Sequence, residues 1–149
     1  MGRRGAAYVV ASTPIHATHT MRTISTPNAP SPAGHYSQAI VHDGLVYVAG
    51  QLGIDPKRPG HTPDDIELQT EQTLRNVANI LIAAGSDLKH VLSMTIYISN
   101  LSDWGRVNGI YARVMGDHKP ARAVVPVKDL HYGFGIEIQC VAAVTSATG

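Results

Sequence analysis

From Tyr36 onward, apolar and polar positions fall into runs of two distinct periods, separated by glycine, proline and acidic residues. Ser37 to His42 and Leu45 to Ala49 read as strands joined at Asp43-Gly44, a dipeptide whose tolerance of positive φ closes a tight hairpin. Asp55 to His61, with Pro56, Pro59 and Gly60, is a loop ending at Thr62-Pro63-Asp64-Asp65. That tetrapeptide predicts an N-cap, a proline at the first helical position and an acid in the first turn. The helix runs to about Ala84, with Ile66, Leu74, Val77, Ile80, Leu81 and Ala84 on one face and Gly85 placed to end it in the left-handed conformation. Val91 to Ile98 alternates Leu92, Met94, Ile96 and Ile98 with Ser93, Thr95 and Tyr97, the period of a half-buried strand. A second helix starts from Ser102 as N-cap, carries Val107, Ile110, Tyr111 and Val114 on one stripe and stops at Gly116. Ala121 to Val127 and Gly135 to Ala143 complete the strands, with a short leading one over Arg22 to Ser25. This order predicts an α+β domain in which two helices cover one face of a mixed sheet.

Composition narrows the class. With 149 residues, 44% hydrophobic and 15% charged, the chain supports one soluble domain with a real core. No stretch approaches the roughly 18 consecutive apolar residues of a membrane span. The first twenty residues are rich in Ala, Thr and Arg without periodicity, and Met21 opens the patterned part. We therefore divide the chain into an extension, residues 1–20, either flexible or upstream of the true start, and a single domain, residues 21–149. An acid-free, Arg-bearing leader is compatible with organelle import. The pair His16 and His19 in it lacks further ligands and reads as solvated. The single cysteine, Cys140, has no partner for a disulfide or zinc site, which predicts a reduced, buried thiol and a cytoplasmic setting. Net charge is +1, but Arg3, Arg4 and Arg22 precede every acid, leaving 9 basic against 11 acidic residues. A slightly acidic body without a basic stripe lacks the electrostatic footprint of a nucleic-acid binder.

Candidate chemistry begins at Arg122, in Pro120-Ala121-Arg122-Ala123-Val124-Val125. A permanently charged fork on so apolar a strand calls for an anion, and a small carboxylate matches its bidentate geometry. A solvated edge charge or a structural ion pair fits the same segment.

Four separated segments agree in order and spacing with one family. They are Ile24 to Pro30 leading into Gly34-His35-Tyr36-Ser37-Gln38; Val48-Ala49-Gly50-Gln51-Leu52-Gly53-Ile54-Asp55-Pro56; Asp103-Trp104-Gly105-Arg106-Val107-Asn108-Gly109-Ile110-Tyr111; and Pro120-Ala121-Arg122 with Ile136-Glu137-Ile138. From about Met21 to Val144 the chain resembles the Rid/YjgF family of enamine and imine deaminases. The resemblance implies a chorismate-mutase-like fold, a homotrimer whose contacts bury the second sheet face, and ligand sites in clefts between subunits. It implies hydrolysis of 2-aminoacrylate-type enamines and their 2-imino acid tautomers to 2-keto acids and ammonia, without metal or organic cofactor.

In that register Arg122 binds the substrate carboxylate and Glu137 holds or activates water, while Tyr36, Gly50 and Asn108 line the pocket. Each has a plainer reading: Glu137 as an outward strand residue, Tyr36 as a core aromatic, Asn108 as helix surface and Gly50 as a turn or bulge. The chain departs from the family pattern at pocket positions Ala49 (often Ser), Val124 (often Cys) and His131 with Tyr132 (Pro-Lys), and also at His35 (usually Pro) and Pro126 (commonly Glu). His35 and His131 add groups able to titrate near neutrality. These departures bear on the substrate more than on the reaction. Two rivals remain: a non-catalytic trimer that binds a small carboxylate metabolite, and an endoribonuclease or translation inhibitor.

Overall fold

The computed structural model describes residues 20–145. All but one residue of the proposed extension, including His16 and His19, lie outside the described residues. The elements run β1 (Arg22–Ile24), β2 (Ala39–His42), β3 (Leu45–Leu52), α1 (Ile66–Ala83), β4 (Val91–Ile98), α2 (Trp104–Met115), β5 (Ala121–Pro126) and β6 (Ile136–Ala143). They build a six-stranded sheet in the order β1-β2-β3-β6-β4-β5. Every neighbouring pair is antiparallel except β4 and β5, which run parallel across the α2 connection. The sheet is therefore mixed, as the element order implies, with β6 inserted between β3 and β4.

The hairpin closes as its dipeptide requires, with Asp43 at φ 49° and Gly44 at φ 76°. Gly85 stands at φ 81° directly after the C-cap of α1, where Ser86 N–H reaches back to Leu81 O at 2.8 Å. Both helices lie on one face. Leu74, Val77, Ile80 and Leu81 of α1, with Val107, Tyr111 and Met115 of α2, bury against Val46, Val48, Met94, Ile96, Ile98, Ile136, Ile138 and Cys140. The opposite face presents Tyr47, Thr95, Tyr97, Gln139 and Val141, and among the described residues no helix covers it.

Four local expectations are corrected. Asp65, not Thr62, caps α1: its Oδ1 accepts from Glu67 N–H at 2.8 Å, so Thr62 and Pro63 stay in the loop. Asn100, not Ser102, begins the second helical stretch, accepting from Ser102 N–H to cap a single 3-10 turn that feeds α2 at Trp104. Leu92 is 50% exposed, because the register of β4 against β6 shifts between Val91 and Ser93 and Val91 takes the buried place. Val114 is exposed as well, and Met115 fills the core stripe of α2 instead.

Candidate active site

Two cavities hold all but Val124 of the candidate site residues, one on each side of the sheet. The first forms where β3 leaves its ladder. Val48 pairs with Cys140 and Gln51 with Ile138, so the register shifts across Ala49 and Gly50. The strand bulges there, and the backbone of Gly50 comes under the side chain of Glu137. A Cβ at Gly50 would overlap Glu137 Oε1 and stand 3.0 Å from its Cδ, so the carboxylate lies across the space that glycine leaves. Glu137 pairs with Leu52 and Tyr97 on the helix-free face. Around it opens a cavity of about 460 Å³ walled by Tyr36, Ala49, Gly50, Leu52, His131 and Tyr132.

Buried amides fix the walls of this cavity. Gln38 accepts from Thr26 N–H at 2.7 Å and donates through Nε2 to Thr26 O at 3.0 Å and Pro30 O at 2.9 Å, which ties down the loop before β2. Asn76 on α1 donates to Leu52 O at 3.0 Å and Ile54 O at 2.8 Å, which holds the chain as it leaves β3. Tyr36 accepts at its hydroxyl from Ala33 N–H, 3.3 Å away, and is half exposed. His131 opens a turn that continues through Tyr132 at φ 59° and Gly133 at φ 74°, with Thr62 Oγ1 donating to Tyr132 O at 3.0 Å. The positive φ of Tyr132 is rare outside glycine.

The second cavity, about 450 Å³, lies on the helix side of the edge strand β5. Arg122 pairs with Met94 of the buried face, so its side chain runs along α2. Asn108 Oδ1 accepts from its Nη1 at 3.0 Å, and the guanidinium carbon lies 4.9 Å from the ring centroids of both Trp104 and Tyr111. Both distances are within cation–π range. His118 and Lys119 complete the wall, and His118 Nε2 sits 2.7 Å from Val91 O, which requires it to carry the proton there. Burial pushes the Tyr111 phenol above its usual range, and the charge of Arg122 opposes that rise. No bond between the two meets hydrogen-bond geometry, and among the described residues the Tyr111 hydroxyl has no hydrogen-bond partner.

The partners of the other arginines near α1 clarify the role of Arg122. Arg106 pairs with Asp65 at 2.8 Å and Glu67 at 3.2 Å, and Arg113 pairs with Glu71. Arg122, by contrast, bonds a neutral carboxamide. Among the described residues no acid pairs with Arg122, against the ion-pair reading of this segment.

Within one chain, then, Tyr36, Ala49, Gly50, His131 and Glu137 come together, and Asn108 and Arg122 come together, but the two groups face opposite sides of the sheet. Val124 lines neither cavity; it pairs with Ile96 and packs on the core. Cys140 is buried on β6, and desolvation raises its pKa to about 12, so it stays a neutral thiol. The sequence reading did not single out Trp104, Tyr111 or Gln38 as site residues. Trp104, Asn108 and Tyr111 are spaced by four and three, the signature of one helix stripe, and that spacing was the available signal.

A family model described as endoribonuclease L-PSP matches residues 26–144. The chain is 43% identical over 119 residues to a RutC family protein of Pyrococcus horikoshii, covering 80% of this chain and 94% of that one. It is 39% identical over 121 residues to the 2-iminobutanoate/2-iminopropanoate deaminase of Rattus norvegicus, covering 81% and 88%. Among solved structures, the Rid-family protein YyfA from Yersinia pestis superposes with a TM-score of 0.81 at 39% identity, over 84% of this chain and all of the other.

Proposed function

From the chain's membership of the endoribonuclease L-PSP, or Rid/YjgF, family, we propose that it hydrolyses small 2-imino acids, and their enamine tautomers, to 2-keto acids and ammonia. The observation that carries this reading is Arg122, a guanidinium held by two rings and a neutral amide with no carboxylate paired to it among the described residues. Such a group binds a substrate carboxylate in a fork and fixes the adjacent C=N carbon.

We place the reaction in a cleft between subunits of a homotrimer. In this assembly the Arg122 cavity of one subunit meets the Glu137 cavity of its neighbour, each supplying what the other lacks. The uncovered sheet face, with Tyr47 and Leu92 about half exposed, supports burial against further copies.

The protonated imine is electrophilic at carbon. Glu137 as carboxylate takes a proton from water while the water oxygen bonds to that carbon, giving a tetrahedral carbinolamine. Glu137 then gives that proton to nitrogen and takes the hydroxyl proton as the C=O bond forms and the C–N bond breaks; the departing ammonia takes the proton from Glu137 and leaves as ammonium. Water and imine are consumed and keto acid and ammonium produced, with no net proton left on Glu137. Gly50 gives the carboxylate its place, and Tyr36 and His131 bound the substrate's far side.

The test generates imines with an amino-acid oxidase and follows keto-acid release. Wild type accelerates release; Arg122→Ala lowers kcat/KM about a hundredfold, and Glu137→Gln lowers kcat by about 10²- to 10³-fold. No acceleration over a panel of imines, with retained binding of a 2-keto acid, identifies a carboxylate-binding protein instead. RNA cleavage by the same nuclease-free preparation, lost in Arg122→Ala, identifies the ribonuclease named in the family's description.

A further inference from the structure

Resting on the assignment of Arg122 as the carboxylate anchor, we propose that Trp104 and Tyr111 are positioning residues: their rings clamp the Arg122 guanidinium in one orientation before substrate arrives. Arg122 lies on an edge strand and is exposed, and an arginine there sweeps many rotamers. Holding such a side chain still opposes its rotamer entropy, which a ligand must otherwise overcome on binding. Here α2 has already overcome it. Trp104 and Tyr111 stand seven residues apart on one helix face, with Asn108 between them. Their ring centroids are each 4.9 Å from the guanidinium carbon, and Asn108 takes Nη1 from the side. Two rings and one amide oxygen thus contact the planar group, and a carboxylate meets a fork whose direction is set.

In the clamp we assign the working part to the ring of Tyr111, which Tyr111→Phe keeps. Its hydroxyl is buried and makes no hydrogen bond, a position where phenylalanine serves structure equally well. Trp104 is only partly buried and packs at the margin of the core, so its large ring contributes less to folding than to covering Arg122.

The experiment compares Trp104→Leu and Trp104→Phe with wild type in the imine assay, and measures 2-oxobutanoate binding by calorimetry. Leucine fills space without a π face; phenylalanine restores one. Trp104→Leu raises KM, and the 2-oxobutanoate Kd with it, by about 3- to 30-fold, with kcat within about threefold, and Trp104→Phe recovers most of the loss. In an Arg122→Ala background Trp104→Leu changes neither constant further. An unchanged KM in Trp104→Leu, or a penalty that persists without Arg122, overturns the clamp. Tyr111→Leu against Tyr111→Phe repeats the comparison from the other ring, should Trp104→Leu lose its circular dichroism signal.

The deaminase reading fails separately. If wild type binds 2-oxobutanoate but hydrolyses no imine, the calorimetric comparison still decides the clamp. If wild type neither binds nor hydrolyses, the anchor role falls and the clamp falls with it.

Discussion

Gly50 is the residue whose chemistry is most closely fixed by its neighbour. The atom that a Cβ would strike is the mobile end of Glu137, so Gly50→Ala displaces the carboxylate rather than the sheet. We expect kcat to fall about 10- to 100-fold while the thermal midpoint moves by only a few degrees, measured on one preparation by imine assay and scanning calorimetry. Tyr111→Phe acts in the other direction. It removes a buried hydroxyl without a partner, and equilibrium denaturation should show stability unchanged or raised by about 1 kcal/mol.

Cys140 predicts a pH dependence with a definite sign. Desolvation raises its folded pKa from an ordinary value of 9.0 to about 12, so above pH 9 the unfolded chain loses a proton that the folded chain keeps. Stability therefore falls as pH rises from about 9 to 12, with a contribution approaching 1.4 kcal/mol per pH unit from this group. Denaturant titrations from pH 8 to 11 should give a shallower decline for Cys140→Val than for wild type.

At the scale of elements, buried amides decide how the loops that wall the Glu137 cavity are held. Gln38 is 2% exposed and bonds both ends of the 26–30 loop. Gln38→Ala should cost about 2 kcal/mol in urea unfolding, and it should raise KM, because the freed loop is a cavity wall. Strands and the hairpin were legible because period-two alternation and Asp43-Gly44 are local signals. Helix starts were not, since Thr62-Pro63 and Ser102 are each good caps and tertiary packing selected Asp65 and Asn100. Leu92 misled for a related reason: a one-residue register shift, set by β6, reverses which face a side chain occupies. Tyr36, Ala49, Gly50, His131 and Glu137 gather at one cavity and Asn108 and Arg122 at the other, while Val124 packs on the core. The division between two faces was not legible, because it depends on the bulge at Ala49-Gly50 and on the pairing of β5 with β4, contacts between segments far apart in sequence.

For the whole molecule, the division of Arg122 from Glu137 makes activity a property of the assembly we propose. Tyr97→Glu places a charge on the uncovered sheet face beside Glu137 and Val125, where a second copy would bury it. Analytical ultracentrifugation should give monomers for this variant, with far-ultraviolet circular dichroism retained and imine hydrolysis lost. A trimeric but inactive variant would instead assign Tyr97 to the site. An active monomer would overturn the shared cleft.

The indole against Arg122 has a practical consequence. Trp104 is the chain's single tryptophan, and the guanidinium lies 4.9 Å from its ring, so the protein's intrinsic fluorescence originates beside the charge that a ligand would neutralise. Binding of the carboxylate we propose at Arg122 should therefore change tryptophan emission, so that a metabolite library can be screened by that signal with no label and no knowledge of the reaction.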